Sequence, residues 1–424
     1  MSITKHNVRY NKEYFGYLVG FPDGKIIMTK ESAKPLLENG ASYTDISKHR
    51  LEDLVIKQGF FLNTPPLIWL EITKHCNLKC PHCYIDGGEA RENELSTREI
   101  IGVIDNLADM GVWAIAITGG EPTLHPDFAL FVQHARKRKL LVGIATHGLH
   151  LSDKLLAKLP KEGVIISISI DDLHVKSKNP ESEFNIASEA LLRCMEHGFH
   201  ANIMTNTNRK NVDQLEKIIS WGEVHDVSVR SVPFSPIGER AKKYAHELEN
   251  IPEDVHKAAK FWLKEMAWEH QYHEKVGLCV GLIFNYGLTL AYMSRRCSSG
   301  RFLAYICADG TVYPCTMCAG EKILSPGNIK DKSFSDLWRE EWPIRQRSWD
   351  DFKDTCEGCP LNNDSYYCSS RCPAMSHARS GNFNSCGASP FEKISLVIRT
   401  SMLESFEMSQ SDNNTNPGVT VPFM

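Results

Sequence analysis

Cys76, Cys80 and Cys83 stand in the stretch Cys-Asn-Leu-Lys-Cys-Pro-His-Cys-Tyr, directly after the apolar run Leu67–Ile72. Four-iron clusters are held by cysteine thiolates, normally four to a cluster. A compact loop offering three would leave one iron without a protein ligand, open to bind and activate something else. The bland alternative is a structural zinc knuckle, since cysteines at short spacing are common zinc ligands. No histidine or cysteine in the next hundred residues completes a zinc pattern, which counts against it.

The chain has 14 cysteines, of which ten fall between residues 279 and 386. Cys297 and Cys315 flank Phe302–Ala308, Asp309-Gly310 and Thr311–Tyr313, a hairpin with an Asp-Gly turn that brings the two cysteines near each other. Cys356-x2-Cys359-x8-Cys368-x3-Cys372 and Cys386 follow. Clustered cysteines in a reducing compartment are read as metal ligands rather than disulfides. A pair of zinc ribbons would use the same residues. Cys194, inside a helical pattern, reads as a plain core residue.

The elements that must position these residues alternate from residue 66 to about 235. Apolar runs at 67–72, 112–117, 140–145, 164–170, 201–204 and 227–232 are near-continuous rather than alternating, as in parallel strands buried on both faces. Helical patterns lie between them. Ser96-Thr97-Arg98-Glu99 has the form of a capping box for a helix running to Met110 and ended by Gly111; 126–138, 153–159, 184–197 and 212–221 supply the others. Six strand–helix units predict an α/β partial (β/α)6 barrel, with chemistry at the C-terminal strand ends. The first cysteine loop falls there. So do Gly119-Gly120-Glu121-Pro122, where paired glycines would let backbone approach a ligand, and Ser169-Ile170-Asp171. Thr146-His147-Gly148 ends the third strand, its histidine reading as a solvated loop residue, and Arg230 lies on the sixth.

Before the barrel, residues 14–21 and 25–28 flank Pro22-Asp23-Gly24 as a hairpin. Helix-like stretches follow at 31–37 and 51–57. After it, Pro252 opens a helix whose face of Ala258, Phe261, Trp262, Leu263 and Met266 is packing surface. Residues 409–424 are too polar to pack.

On these residues the chain resembles the radical S-adenosylmethionine enzymes with a C-terminal SPASM domain. The C-x3-C-x2-C loop followed by an aromatic residue and the G-G-E-P motif carry the first half. The cysteine order from 297 to 386, with Gly327-Asn328-Ile329 and Leu337-Trp338, carries the second. The resemblance implies that Cys76, Cys80 and Cys83 hold a [4Fe-4S] cluster whose open iron chelates S-adenosylmethionine, cleaved by one electron to methionine and a 5′-deoxyadenosyl radical. It implies that the motif of Gly119, Gly120, Glu121 and Pro122 contacts the cofactor's amino group, that Ser169 and Asp171 face its ribose or carboxylate, and that Arg230 is a further contact. It implies two auxiliary iron-sulfur clusters: Cys356, Cys359, Cys368 and Cys386 would hold one fully, and Cys297, Cys315 and Cys372 three corners of the other. Cys279, Cys307 and Cys318 remain open as its fourth ligand, or a corner is left free. His147 stands where the family often has asparagine, and the Cys359–Cys368 gap is longer than usual. The expected regions are a segment 1–63, similar to a shortened peptide-recognition module or else a cap on the barrel; the barrel 64–238; a helical bridge 239–295; a small cysteine-rich auxiliary-cluster domain 296–395; and a helix end and tail 396–424.

Composition narrows the rest. A formal net charge of −4 without like-charge blocks points to neither nucleic acid nor an anionic membrane surface. No apolar run approaches a membrane span or signal peptide, so the expected location is cytoplasmic. The leading expectation is an enzyme that modifies a ribosomally made peptide or protein, with a reduced flavodoxin- or ferredoxin-type electron donor. Thr316, where sulfatase-maturing members carry aspartate, argues against that branch. The alternatives are a small-molecule enzyme acting on a tetrapyrrole or cofactor precursor, and a non-catalytic zinc protein.

Overall fold

The structure is a computed structural model that describes residues 2–3, 8–51, 60–171, 180–254, 257–258, 261, 276, 278–281, 283–284, 297–347, 372–383 and 385–386. Cys356, Cys359, Cys368, the helix-like stretch 51–57 after Leu51, most of the bridge helix and the tail lie outside these residues.

Strands β1 (Ser2–Ile3), β2 (Arg9–Glu13), β3 (Gly16–Gly20) and β4 (Ile26–Thr29) form an antiparallel sheet in sequence order, with the expected hairpin joining β3 and β4. Two short helices follow, α1 (Lys34–Glu38) and α2 (Tyr43–Ser47). Then come six parallel strands: β5 (Leu67–Glu71), β6 (Ala114–Thr118), β7 (Leu141–Thr146), β8 (Val164–Ser169), β9 (His200–Thr207) and β10 (Val229–Pro233). They pair in that order. The interleaved helices are α3 (Thr97–Met110), α4 (Phe128–Lys137), α5 (Asp153–Leu156), α6 (Pro180–Glu196) and α7 (Leu215–His225). The capping box of Ser96 and Glu99 is present and Gly111 ends α3 in the left-handed conformation, a start signal of a kind that stabilises a helix by about 1 kcal/mol.

Each strand's helix-facing side is aliphatic: Ile115, Ile117, Val142, Ile144, Ile166 and Ile168 join one core with α3, α4 and α6. The alternate positions face the lumen, and near the top of β7 and β8 they are open, as at Ala145 and Ser169. Residues 278–281 and 283–284 enter this interior. A Cβ on Gly143 would lie 3.1 Å from Val280, and Phe284 meets Trp69 of β5 edge-on at 5.2 Å.

The leading sheet packs under the barrel. Leu18, Ile26 and Met28 share a core with Leu67, Ala114 and Leu141, the first residues of β5, β6 and β7. Arg9 donates to the carbonyls of Trp113 and Lys139, and Asn11 to that of Gly111. The segment thus covers the end of the barrel opposite the cysteine loop. A cavity of about 370 Å³ lies at that same end, lined by the starts of β7 and β8 and by Val276, Leu278 and Val280.

The hairpin after Cys297 does not stand apart from the barrel. Strand β11 (Leu303–Ile306) pairs in parallel with β5, and β12 (Thr311–Tyr313) and β13 (Gly327–Asn328) extend the same sheet to nine strands. The first cysteine loop and the hairpin that carries Cys315 therefore hang from neighbouring strands.

Candidate functional site

The cysteine loop leaves the end of β5 and is fixed by backbone. The Cys76 N–H donates to the Gly88 carbonyl (2.7 Å), and the Gly88 N–H to Lys74 (3.0 Å). Glu94 accepts from the Thr73 hydroxyl and the Lys74 N–H, each at 2.8 Å. All three cysteines are part-exposed. Two of their sulfurs accept backbone N–H bonds at 3.4 Å: Cys76 from Leu78 and Cys83 from Gly87. Hydrogen bonds to sulfur are among the features that tune thiolate-held clusters. Burial and the neighbouring Asp171 push the Cys80 thiol up, with Cys83 and Cys76 acting in the same sense. Three thiols crowded together suit a cation that takes them all as thiolates. As a donor set the three thiols fit a cluster, although among the described residues no three metal-ligating side chains are placed closely enough to hold a metal ion.

The Gly119-Gly120 pair makes room for backbone. A Cβ on Gly119 would lie 2.4 Å from the Thr73 carbonyl oxygen, and one on Gly120 would lie 2.4 Å from those of Lys74 and His75. Gly120 and Glu121 donate their N–H groups to Thr73 (2.8 Å) and His75 (2.7 Å). The glycines let the turn after β6 press backbone to backbone against the lead into Cys76. Glu121, 1% exposed, points sideways. Its carboxylate accepts from the Thr146 hydroxyl (2.6 Å), the Thr123 hydroxyl (2.5 Å) and the His147 N–H (2.9 Å). Pro122 follows it, buried at the start of a short 3-10 turn.

His147 is not the solvated residue the sequence suggested. Its side chain is 11% exposed, with Nε2 3.3 Å from Glu121 and 2.9 Å from the Asn77 side-chain oxygen, inside the cysteine loop. Burial lowers its pKa, opposed by the Glu121 charge. His82, between Cys80 and Cys83, was missed altogether. Its Nε2 lies 2.9 Å from Oδ2 of Asp171, whose other oxygen accepts the Asn206 N–H. Asp171 therefore clamps the loop to the ends of β8 and β9. Nothing in the local pattern marks this pair, although a histidine inside a cysteine motif could have been flagged.

Ser169 is exposed at the end of β8. It lies in one register row with Met204 of β9, which in turn pairs with Arg230 of β10. A Cβ on Gly281 would come within 2.8 Å of the Arg230 guanidinium. Arg230 thus reaches the segment threaded into the lumen and is not a plain surface arginine.

Behind the loop, Glu71 at the end of β5 is fully buried. It pairs with Lys74 at 3.2 Å and accepts from the Tyr305 hydroxyl and, at 3.1 Å, the Ala308 N–H. Lys74 also donates to the Ile85 carbonyl at 2.8 Å. This buried network joins the cysteine loop to the β11 hairpin.

Beyond it the structure gathers four thiols. Cys315 and Cys318 lie 3.6 Å apart, sulfur to sulfur, and Cys318 interacts electrostatically with Cys315, Cys372 and Cys297. The bond from Cys318, together with bonds from Ser299, Met317 and Cys318 backbone, outweighs burial and brings the Cys315 thiol down to about 7. Cys307 interacts instead with Glu71, Lys74 and Asp309, and Cys279 packs against Ile165 at the far end of the barrel. Of the three candidates for the fourth position, only Cys318 sits with the set. Cys194 is a buried core residue, as expected. Cys386 is part-exposed.

Residues 70–222 match the model of the Radical SAM superfamily, and residues 297–360 that of the SPASM iron-sulfur cluster-binding domain. The chain belongs to the radical SAM superfamily and carries a SPASM domain. It is an enzyme that takes S-adenosylmethionine and [4Fe-4S] clusters. Its relatives include the mycofactocin maturase MftC of Mycolicibacterium smegmatis, 27% identical over 70% of this chain and 76% of that one. The AdoMet-dependent heme synthase of Oleidesulfovibrio alaskensis is 26% identical over 77% of this chain and 88% of its own. Streptococcus suis SuiB bound to S-adenosylmethionine shares the fold, with a TM-score of 0.63 at 15% identity over 92% of this chain and 99% of that one. Among the described residues no helix is long and apolar enough to cross a membrane.

Proposed function

We propose that this enzyme modifies a ribosomally made peptide or protein by hydrogen abstraction, with Cys76, Cys80 and Cys83 as ligands of the cluster that binds S-adenosylmethionine. The observation that carries this reading is the placement of two thiol sets beside adjacent strands of one sheet, Cys76, Cys80 and Cys83 after β5, and Cys297 before and Cys315 and Cys318 after the β11–β12 hairpin, with Cys372 in electrostatic reach of them. Bound there, the first cluster supplies the electron that splits S-adenosylmethionine to methionine and a 5′-deoxyadenosyl radical.

The chain's own residues orient and enclose. The Leu78 and Gly87 N–H groups point at the cluster thiolates. The motif of Gly119, Gly120, Glu121 and Pro122 would contact the cofactor's amino group. Ser169 and Arg230 line the lumen where the remainder of the cofactor and the substrate meet. Asp171 is a positioning residue, acting through His82 on the loop. Cys297, Cys315, Cys318 and Cys372 would hold an auxiliary cluster that accepts the electron left after hydrogen abstraction, and Cys356, Cys359, Cys368 and Cys386 the second. The domain divisions at 63, 238, 295 and 395 belong to this reading, with the qualification that β11 to β13 continue the barrel sheet. So do a flavodoxin- or ferredoxin-type donor and a cytoplasmic location, where thiolate-held clusters persist.

A peptide substrate is supported by the relatives named as mycofactocin maturases, and by the likeness in fold to SuiB, also solved with its precursor peptide SuiA. A leader-peptide site on residues 1–63 belongs to the same reading. A small-molecule reading is favoured by the heme synthases, which match at nearly the same identity. Anaerobic incubation of the reconstituted enzyme with S-adenosylmethionine, a reductant and the short peptide encoded beside its gene separates the two. A peptide mass changed by loss of two hydrogens or a larger fragment, with 5′-deoxyadenosine formed, supports the peptide reading. An unchanged peptide with 5′-deoxyadenosine formed transfers the assignment to a small molecule.

A further inference from the structure

We propose that Arg240 is the fixed counter-charge of the Cys76, Cys80 and Cys83 thiolates and favours the reduced form of the cluster held there; this rests on reading that loop as a cluster site. After β10 the chain turns into a short helix, α8 (Glu239–Lys243), whose start is pressed onto the cysteine loop. A Cβ on Gly238, which sits at a φ of +79°, would lie 2.6 Å from the Tyr84 carbonyl oxygen. Asp86 completes the contact from the loop's side. Its Oδ2 accepts the Glu239 N–H at 2.8 Å and its Oδ1 the Arg240 N–H at 2.9 Å.

The Arg240 side chain then turns back into the loop. Nη2 donates to the Gly87 carbonyl at 2.8 Å, and the N–H of the same glycine donates to the Cys83 sulfur at 3.4 Å. One residue of backbone separates the two bonds, so the guanidinium lies within about 10 Å of that sulfur. Cys76 adjoins the same glycine: a Cβ on Gly87 would come 3.2 Å from the Cys76 Cβ. The Arg240 charge acts on the Cys76 and Cys80 thiols as well, favouring the thiolate in both, while Asp171 acts on Cys80 in the opposite sense. No other anion takes the guanidinium up. Nη1 is buried without a hydrogen-bond partner. Asp86 gives its carboxylate to backbone, Glu239 turns to Lys242 at 3.6 Å, and among the described residues no carboxylate forms an ion pair with Arg240.

Reducing a thiolate-held cluster adds one negative charge to it, and a cation fixed by the fold favours that form. A unit charge at about 10 Å, with an effective dielectric of 20 or somewhat above, changes such an equilibrium roughly three- to tenfold. For a one-electron couple that is about 30 to 60 mV.

The test is a redox titration, followed by electron paramagnetic resonance, of the reconstituted full chain without S-adenosylmethionine. The signal to follow is the one absent from Cys76→Ala. Arg240→Met should move its midpoint roughly three- to tenfold in equilibrium constant towards the oxidised form and leave the auxiliary signals where they were. Arg240→Lys, which keeps the charge, should hold the wild-type midpoint. Arg240→Gln, which keeps an N–H for Gly87 without the charge, should move it as the methionine variant does, and serves in its place where that variant folds poorly. A midpoint unmoved in the neutral variants overturns the proposal, and so does a glutamine variant that titrates like the wild type, since Arg240 would then be a hydrogen-bond donor only. Weakened S-adenosylmethionine binding with an unmoved midpoint would make Arg240 a cofactor contact and overturn it likewise. If Cys76→Ala lacks no signal, the reading of the loop as a cluster site fails, and the inference falls with it.

Discussion

His82 and Asp171 lie 2.9 Å apart, Nε2 to Oδ2, across 89 residues of sequence, and join the cysteine loop after β5 to the strand ends of β8 and β9. Both are largely buried, at 14% and 15% side-chain exposure, so solvent screens the contact only in part. Partners of this kind orient metal ligands without touching the metal, and their loss typically costs 10- to 100-fold in metal affinity or activity. His82→Ala and Asp171→Asn should therefore lower 5′-deoxyadenosine formation by roughly 10- to 100-fold. Each should also reduce iron retained after gel filtration, while leaving far-ultraviolet circular dichroism unchanged.

The glycines of the loop make a contrasting pair. Gly120 has no room for a methyl group against the Lys74 and His75 carbonyls, whereas a Cβ on Gly88 would meet nothing within 4 Å. Gly120→Ala should push the turn after β6 away from Cys76 and abolish S-adenosylmethionine cleavage. Gly88→Ala should retain wild-type activity within about twofold, because its effect is confined to the small entropic gain of a less flexible unfolded chain. Equal activities in the two variants would contradict the packing described here.

Much of this arrangement was legible in the sequence. The six parallel strands announced themselves as apolar runs because both faces are buried, and the Ser96 capping box set the start of α3. Strand β2 was invisible for the opposite reason. Its inward residues, Arg9, Asn11 and Glu13, are polar and buried at 8%, 6% and 2%, Arg9 and Asn11 bonded to carbonyls of the barrel end and Glu13 to the Asn63 N–H through one oxygen, so no apolar alternation exists to read. The pairing of β11 with β5 escaped because it joins segments more than 200 residues apart. His82 and His147 escaped likewise, since a histidine's role is set by the carboxylate that meets it in the fold. Cys318 could be weighed from its spacing to Cys315, but only packing separated it from Cys279 and Cys307.

That separation is testable by iron content. Cys318→Ala should lose an auxiliary cluster, about four iron atoms per chain after anaerobic reconstitution. Cys279→Ala and Cys307→Ala should keep the full complement. Loss of iron from Cys307→Ala, with none from Cys318→Ala, would reassign the fourth ligand.

Glu13 gives the cap its own pH dependence. Burial pushes its pKa from 4.5 up to about 8, against the lowering effect of the Asn63 and Thr64 backbone N–H groups. Oε2 accepts the Asn63 N–H at 2.7 Å, and Oε1 is buried without a hydrogen-bond partner. The folded state holds this proton more tightly than the unfolded chain, so stability falls as pH rises from the unfolded value of 4.5 through about 8. The effect is on the order of a few kcal/mol at most. Glu13→Gln should flatten the fall in Tm between pH 5 and pH 9, measured anaerobically; an unchanged slope would show that the carboxyl ionises freely in the fold.

The most direct measurement for the account as a whole is 5′-deoxyadenosine production by the reconstituted chain, set against variants carrying Cys76→Ala, Cys80→Ala or Cys83→Ala. The wild-type chain should be brown and should form 5′-deoxyadenosine under reducing anaerobic conditions, and each single variant should form none. A colourless, zinc-loaded wild-type protein, or cleavage that survives the loss of any of the three thiols, would contradict the assignment of the radical-generating cluster to the loop after β5.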